Sequence, residues 1–121
     1  MRPSRLLQAA CWVAACAIWP AALAAPPTGS LAGRQVFEAR CSVCHGPMAD
    51  GDSKLASVMA PKPSNLRKSG LSQDAMMHII AEGGQAVGRS PNMPPWKAEL
   101  SVEQIREVAS YVQSLRSVRR P

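Results

Sequence analysis

The stretch Cys41-Ser42-Val43-Cys44-His45 has the pattern C-x-x-C-H, in which a histidine directly follows the second of two cysteines. Residues three positions apart share a face of a helix, so both thiols can reach one flat ligand. The imidazole of His45 follows at once and can turn beneath that ligand. This pattern is typical of covalent c-type haem attachment. We therefore expect Cys41 and Cys44 to carry haem through thioethers, and His45 to bind its iron.

Two other chemistries use paired cysteines. A structural zinc site usually has four protein ligands, whereas this motif supplies three candidates. A C-x-x-C redox pair is expected near a βαβ pattern, and the sequence contains no convincing strands. The motif therefore favours haem over zinc binding or thiol exchange.

The first 25 residues have the composition of an export signal. They read MRPSRLLQAACWVAACAIWPAALAA, with two arginines, an apolar run and the small-x-small pattern at 22–24. We predict a cleaved signal peptide over 1–24 and a mature periplasmic domain over 25–121. Cleavage after Ala25, an uncleaved membrane anchor and lipidation at Cys16 are the alternatives. The apolar run is shorter than the roughly 20 residues that span a bilayer, which disfavours the anchor.

Composition limits the chain to one small domain. It has 121 residues, 14 Lys+Arg against 8 Asp+Glu and a formal net charge of +6. Only 4% of the residues are aromatic, whereas 11 are proline and 8 are glycine. A small exported domain of this kind usually needs a disulfide, a metal or a cofactor to stabilise its core. The length excludes a two-domain nucleotide enzyme, and export excludes a nucleic-acid partner.

Helix signals divide the mature chain into three main helices. The first is predicted to begin at Ser30 as N-cap and to run into the cysteines. The second begins at Ser72 and ends at Gly83-Gly84, and the last begins with the capping box Ser101-Val102-Glu103-Gln104. Two long proline-containing loops lie between them, over 46–70 and 87–97. The predicted fold class is all-α, with three main helices and irregular loops around one haem.

Met93 is the candidate for the sixth iron ligand, on the haem face opposite His45. Pro94 and Pro95 follow it, and a residue before proline is driven out of the helical region. A stiff, extended loop should therefore present Met93. Its thioether is a ligand that raises the haem potential. Met59, in the preceding loop, is the rival candidate.

Two further side chains, those of Trp96 and His78, could belong to the site or serve only structural roles. Trp96 follows the methionine segment, and we expect it to pack on the haem edge and donate its N–H to a propionate. The alternative role of Trp96 is simple core filling. His78 falls off the apolar stripe of the second helix, so we expect it to face solvent.

Together these segments resemble the class I c-type cytochromes of the small bacterial kind. Residues 33–41 match that family's G-x-x-x-F-x-x-x-C lead into C-x-x-C-H. Residues 61–66 resemble its proline-containing loop on the histidine side of the haem, and residues 93–96 resemble its methionine loop. The resemblance extends over about 31–115. It implies one covalently bound haem c with His45 and Met93 as iron ligands.

The resemblance also implies specific contacts. Val108 and Tyr111 should stand where the last helix meets the first, near Gly33 and Phe37. A backbone carbonyl should accept the Nδ1–H of His45. We expect Pro61 to supply that carbonyl, with Pro63 as the alternative. Such bonds orient the ring and tune the iron.

A haem iron bound by both His45 and Met93 has no open site, so the ligand set favours electron transfer over catalysis. We expect a periplasmic carrier, monomeric when alone, that exchanges electrons with donor and acceptor proteins. One alternative is the haem subunit of a periplasmic dehydrogenase, and another is an enzyme or sensor with an open iron site. Cations on the haem-bearing loops could steer docking onto an acidic partner: Lys54, Lys62, Arg67, Lys68, Arg89 and Lys97.

Overall fold

The first helix begins where its capping signal predicts. In a computed structural model of the chain, which describes residues 30–117, α1 extends over Leu31–Val36. The hydroxyl of Ser30 accepts the Gly33 N–H at 3.0 Å. The helix then widens into a π turn over Phe37–Cys41, and α2 follows over Ser42–His45. This widened turn, which the sequence analysis did not predict, carries the first cysteine; such turns are frequent at functional sites.

The two later helices also start at predicted caps. Helix α3 extends over Gln73–Glu82, and the Ser72 hydroxyl accepts the Ala75 N–H at 3.2 Å. Helix α4 extends over Val102–Ser117. Within the described part of the chain, three short 3₁₀ turns lie between the helices, at Ala56–Val58, Leu66–Lys68 and Gln85–Val87.

The capping box of α4 is complete. The backbone N–H of Gln104 donates to the Ser101 hydroxyl at 3.1 Å, and the Gln104 side chain accepts the Ser101 N–H at 2.9 Å. Within 30–117 there is no β-strand. The all-α prediction is therefore confirmed.

The core forms where α1 and its π turn cross α4. Phe37 is fully buried, and its ring lies 5.5 Å from that of Tyr111. Val108 is also buried. A Cβ on Gly33 would lie 2.7 Å from the Glu107 carbonyl carbon, so the two backbones are almost in contact. The predicted contacts between the first and last helices are confirmed.

The remaining core residues come from α3, from α4 and the residue before its cap, and from the loop after α2. They are Ala49, Met76, Ile80, Leu100, Ile105, Ala109 and Val112. Among residues 30–117, no helix is long and apolar enough to cross a membrane. The predicted signal peptide, its cleavage sites and Cys16 lie outside the described residues.

Candidate functional site

The two long loops and the C-x-x-C-H segment enclose one cleft. It has a volume of ≈ 580 Å³, within the range of roughly 300–1,000 Å³ typical of small-molecule and cofactor sites. Most of the side chains that line it are apolar. The cleft brings together all six predicted site residues: Cys41, Cys44, His45, Pro61, Met93 and Trp96.

His45 is oriented by a backbone carbonyl. Its Nδ1 lies 3.0 Å from the carbonyl oxygen of Ser64, which can only accept, so Nδ1 donates and Nε2 carries the free lone pair. Burial lowers the pKa of His45, and the bond to Ser64 opposes that shift. The imidazole is therefore neutral near pH 7, which is the form that binds a metal.

The carbonyl that accepts from His45 was predicted wrongly. Ser64 supplies it, rather than Pro61 or Pro63. The Pro63 carbonyl instead packs against Gly51, 2.8 Å from where a Cβ would stand. The N–H of Leu66 donates to the Ala49 carbonyl at 2.8 Å, which fixes the loop just after Ser64. Pro61 contributes to the cleft wall instead.

The two cysteines are unpaired thiols with half-buried positions. Burial, and to a lesser extent the neighbouring Cys44, raises the pKa of Cys41 to about 11. A reactive redox cysteine needs the opposite shift, because the thiolate is the nucleophile. The environment of Cys41 therefore does not suit thiol exchange.

Three methionines line the cleft. Met76 belongs to α3 and is 3% exposed, as part of the helical core. Met93 and Met59 are half-buried on the two loops. The side-chain amide of Asn92 donates to the Ala60 carbonyl at 3.3 Å and links these loops beside both methionines.

Trp96 and His78 occupy different environments. Trp96 is half-buried in the cleft wall, and its backbone N–H donates to the Ile80 carbonyl at 3.0 Å. His78 is exposed, as predicted.

The donor set of the cleft fits haem. Two thiols and an imidazole lie together, and thioethers stand on loops of the same cavity. The Asn65 side chain contributes to the wall, and its buried Oδ1 has no hydrogen-bond partner in the described part of the chain. A polar edge of a cofactor would complete such a wall. Ser64 and Asn65 were both missed by sequence reasoning, since neither carries a motif of its own.

Comparison with known proteins assigns the family. A sequence profile of the family described as cytochrome c oxidase, cbb3-type, subunit III matches residues 30–112. This chain is a small class I c-type cytochrome. Its cofactor is therefore haem c, and its family transfers electrons through that group.

Relatives in sequence support the assignment. Cytochrome c6 of Nostoc sp. is 33% identical over 84 residues, which is 69% of this cytochrome and 68% of that protein. Cytochrome c6 of Gracilaria tenuistipitata var. liui is 36% identical over 81 residues, covering 67% and 68% of the two chains.

A solved structure shares the fold. The chain is similar, with a TM-score of 0.60 and 25% identity, to a chain of the Kuenenia stuttgartiensis reducing HAO-like protein complex Kustc0457/Kustc0458. The match covers 71% of this cytochrome but only 42% of that chain.

Proposed function

We propose that this cytochrome carries single electrons between proteins in the periplasm, with its haem iron held between His45 and Met93. Cys41 and Cys44 form the thioethers. The observation that carries the proposal is the convergence of both thiols, the oriented imidazole and Met93 on one cleft.

The choice of Met93 rests on how its loop is held. The Met93 carbonyl accepts the Gly84 N–H at 2.9 Å, and its own N–H donates to the Ser90 carbonyl at 3.3 Å. Pro94 and Pro95 stiffen the chain that follows. Met59 has a backbone bond on one side, to the Ala56 carbonyl at 3.3 Å. Met76 is committed to the helical core.

When bound, haem supplies an iron that exchanges one electron and is tuned by its axial ligands. The chain's own residues hold and insulate it. Ser64 fixes the ring of His45, which sets the direction of Nε2. The mostly apolar lining would limit water access to the iron, and binding by both His45 and Met93 would leave it no position for a substrate. This arrangement favours a carrier over an enzyme.

The periplasmic location rests on the amino-terminal pattern. The cleavage site at 22–24 follows a charged and apolar leader, and covalent haem suits an exported protein. We propose that residues 1–24 are removed and that 25–121 form the cytochrome domain. N-terminal sequencing of the periplasmic fraction should then begin at Ala25, or at Pro26 if cleavage falls one residue later. An intact Met1 or a lipid-modified Cys16 would contradict it.

The partners of a carrier are redox proteins, and cations on the loops suit an acidic docking face. Lys62 and Arg89 border the cleft and are exposed. Similarity to a chain of a solved protein complex favours a second role, as the haem subunit of a periplasmic dehydrogenase. Co-purification with a larger chain at high salt distinguishes that role, because a docked carrier should dissociate as its charges are screened.

The deciding experiment replaces the ligand. Met93→Ala should remove the weak red sulfur-to-iron absorption of the oxidised protein, lower its potential and permit rapid carbon monoxide binding to the reduced protein. Met59→Ala is the matched control, because it removes the same side chain from the same cleft. Loss of the red band in Met59→Ala, with Met93→Ala unchanged, would move the ligand to the other loop.

A further inference from the structure

The loop that carries Met93 closes onto the end of α3. The last carbonyls of a helix have no partner within it and must find one elsewhere. Here the N–H of Trp96 donates to the Ile80 carbonyl at 3.0 Å, and the N–H of Lys97 donates to the Ala81 carbonyl at 3.3 Å. We call residues 84–97 the methionine loop. The end of α3 therefore serves as its platform.

Gly84 stands at the start of this loop, where the later part of the loop folds back against it. Its N–H donates to the Met93 carbonyl at 2.9 Å. Its own carbonyl accepts the N–H of Arg89 at 2.8 Å. The backbone of Gly84 therefore binds the loop at two places, at Arg89 and at Met93.

There is no room for a side chain at Gly84. A Cβ would stand 3.1 Å from the Met93 Cβ and 3.2 Å from the Ser90 carbonyl carbon, and closer still to the Ser90 oxygen. The φ of Gly84 is −66°, which every residue adopts. The absence of a side chain therefore serves close packing and not backbone conformation. The neighbouring Gly83 differs, because its φ is +82°.

We propose that Gly84 is the positioning residue for the sulfur ligand. Its missing side chain lets the Met93 backbone approach α3, and that approach sets how far the thioether reaches into the cleft. The inference rests on the proposed ligation by Met93. A methyl at Gly84 must push Ser90 and Met93 away, because its nearest neighbours on the Ser90 side are backbone atoms that cannot rotate aside.

The test compares Gly84→Ala with wild type in the haem-loaded protein. Haem should remain covalently attached, since the thiols lie on another element. The red sulfur-to-iron band should weaken, and the affinity of the reduced protein for carbon monoxide should rise at least tenfold. The potential should fall, and a tenfold change in the oxidised-to-reduced ratio corresponds to about 59 mV for one electron.

Two control variants separate crowding from general loop damage. Gln85→Ala changes an exposed neighbour and should leave the band unchanged. Gly88→Ala places a methyl in open space but at a φ of +71°, so it strains the same loop without crowding Met93. The proposal fails if Gly84→Ala keeps the wild-type band, or if Gly88→Ala loses it equally.

A double variant tests whether Gly84 changes the potential through Met93. If Gly84 acts through Met93, adding Gly84→Ala to Met93→Ala should change the potential no further. An equal drop in both backgrounds would overturn the inference while leaving the ligand assignment intact. A wild-type red band in Met93→Ala would overturn both.

A milder change covers the case in which Gly84→Ala does not accumulate as holoprotein. The Ser90 hydroxyl accepts the Asn92 N–H at 3.1 Å, so Ser90→Ala loosens the segment that presses on Gly84. Because the Met93 N–H donates to the Ser90 carbonyl, this loosening should weaken the red band, as Gly84→Ala does. An unchanged band in Ser90→Ala would then contradict the proposal.

Discussion

Replacing Gly33 by alanine should separate the two helices that form the core. The new methyl would lie 2.7 Å from the Glu107 carbonyl carbon and 3.0 Å from the Tyr111 Cβ. Ordinary carbon contacts are about 3.5–4.0 Å, so the helices must move apart by roughly 1 Å. Overpacking that shifts backbone costs up to about 3 kcal/mol. Loosening the ring pair of Phe37 and Tyr111 adds about 1 kcal/mol.

Alanine also improves helix propensity by about 1 kcal/mol, so the net loss should be about 3 kcal/mol. Thermal unfolding of the holoprotein, followed by helical circular dichroism and haem absorption, should show Tm lower by roughly 15 °C. Gln35→Ala, at an exposed position of the same helix, is the control and should change stability by less than about 0.5 kcal/mol. A Gly33→Ala protein as stable as wild type would refute the close crossing of α1 and α4.

Three further predictions concern α3. Met76→Ala should cost about 2–5 kcal/mol in denaturant unfolding yet keep the red band, because this side chain belongs to the core; loss of the band would make it a ligand. Ser72→Ala removes the cap on the Ala75 N–H and should cost about 1 kcal/mol by the same assay. The hydrogen bond from Lys97 lowers the pKa of Glu82 below its usual 4.5. The ionised Glu82 therefore adds to folding stability above pH 4.5, and this stabilisation is lost as pH falls through the lowered pKa of Glu82. Glu82→Gln should accordingly flatten the decline in stability on acidification.

Helix boundaries could be predicted because caps are local. Ser30, Ser72 and Ser101 each bond an N–H three residues ahead, so a short window of sequence contains the whole signal. The attachment motif was predictable for the same reason, since its chemistry lies within five consecutive residues. These features do not depend on distant parts of the chain.

Other features depend on tertiary contacts that leave no local signal. Every residue has a carbonyl, so nothing in the sequence distinguishes Ser64 from Pro61 as the partner of His45. Gly84 was interpreted as a helix stop, but its ordinary φ and crowded surroundings show that spacing is what it supplies. The π turn at Phe37–Cys41 likewise has no sequence pattern that predicts it.

The absorption spectrum of the reduced, purified protein with and without carbon monoxide tests the central claim most directly. If His45 and Met93 both bind the haem iron, the spectrum should stay unchanged when the gas is added at neutral pH. The ferric protein should also show the weak red sulfur-to-iron band. An immediate spectral shift with carbon monoxide would reveal an open iron site and contradict the assignment of this cytochrome as an electron carrier.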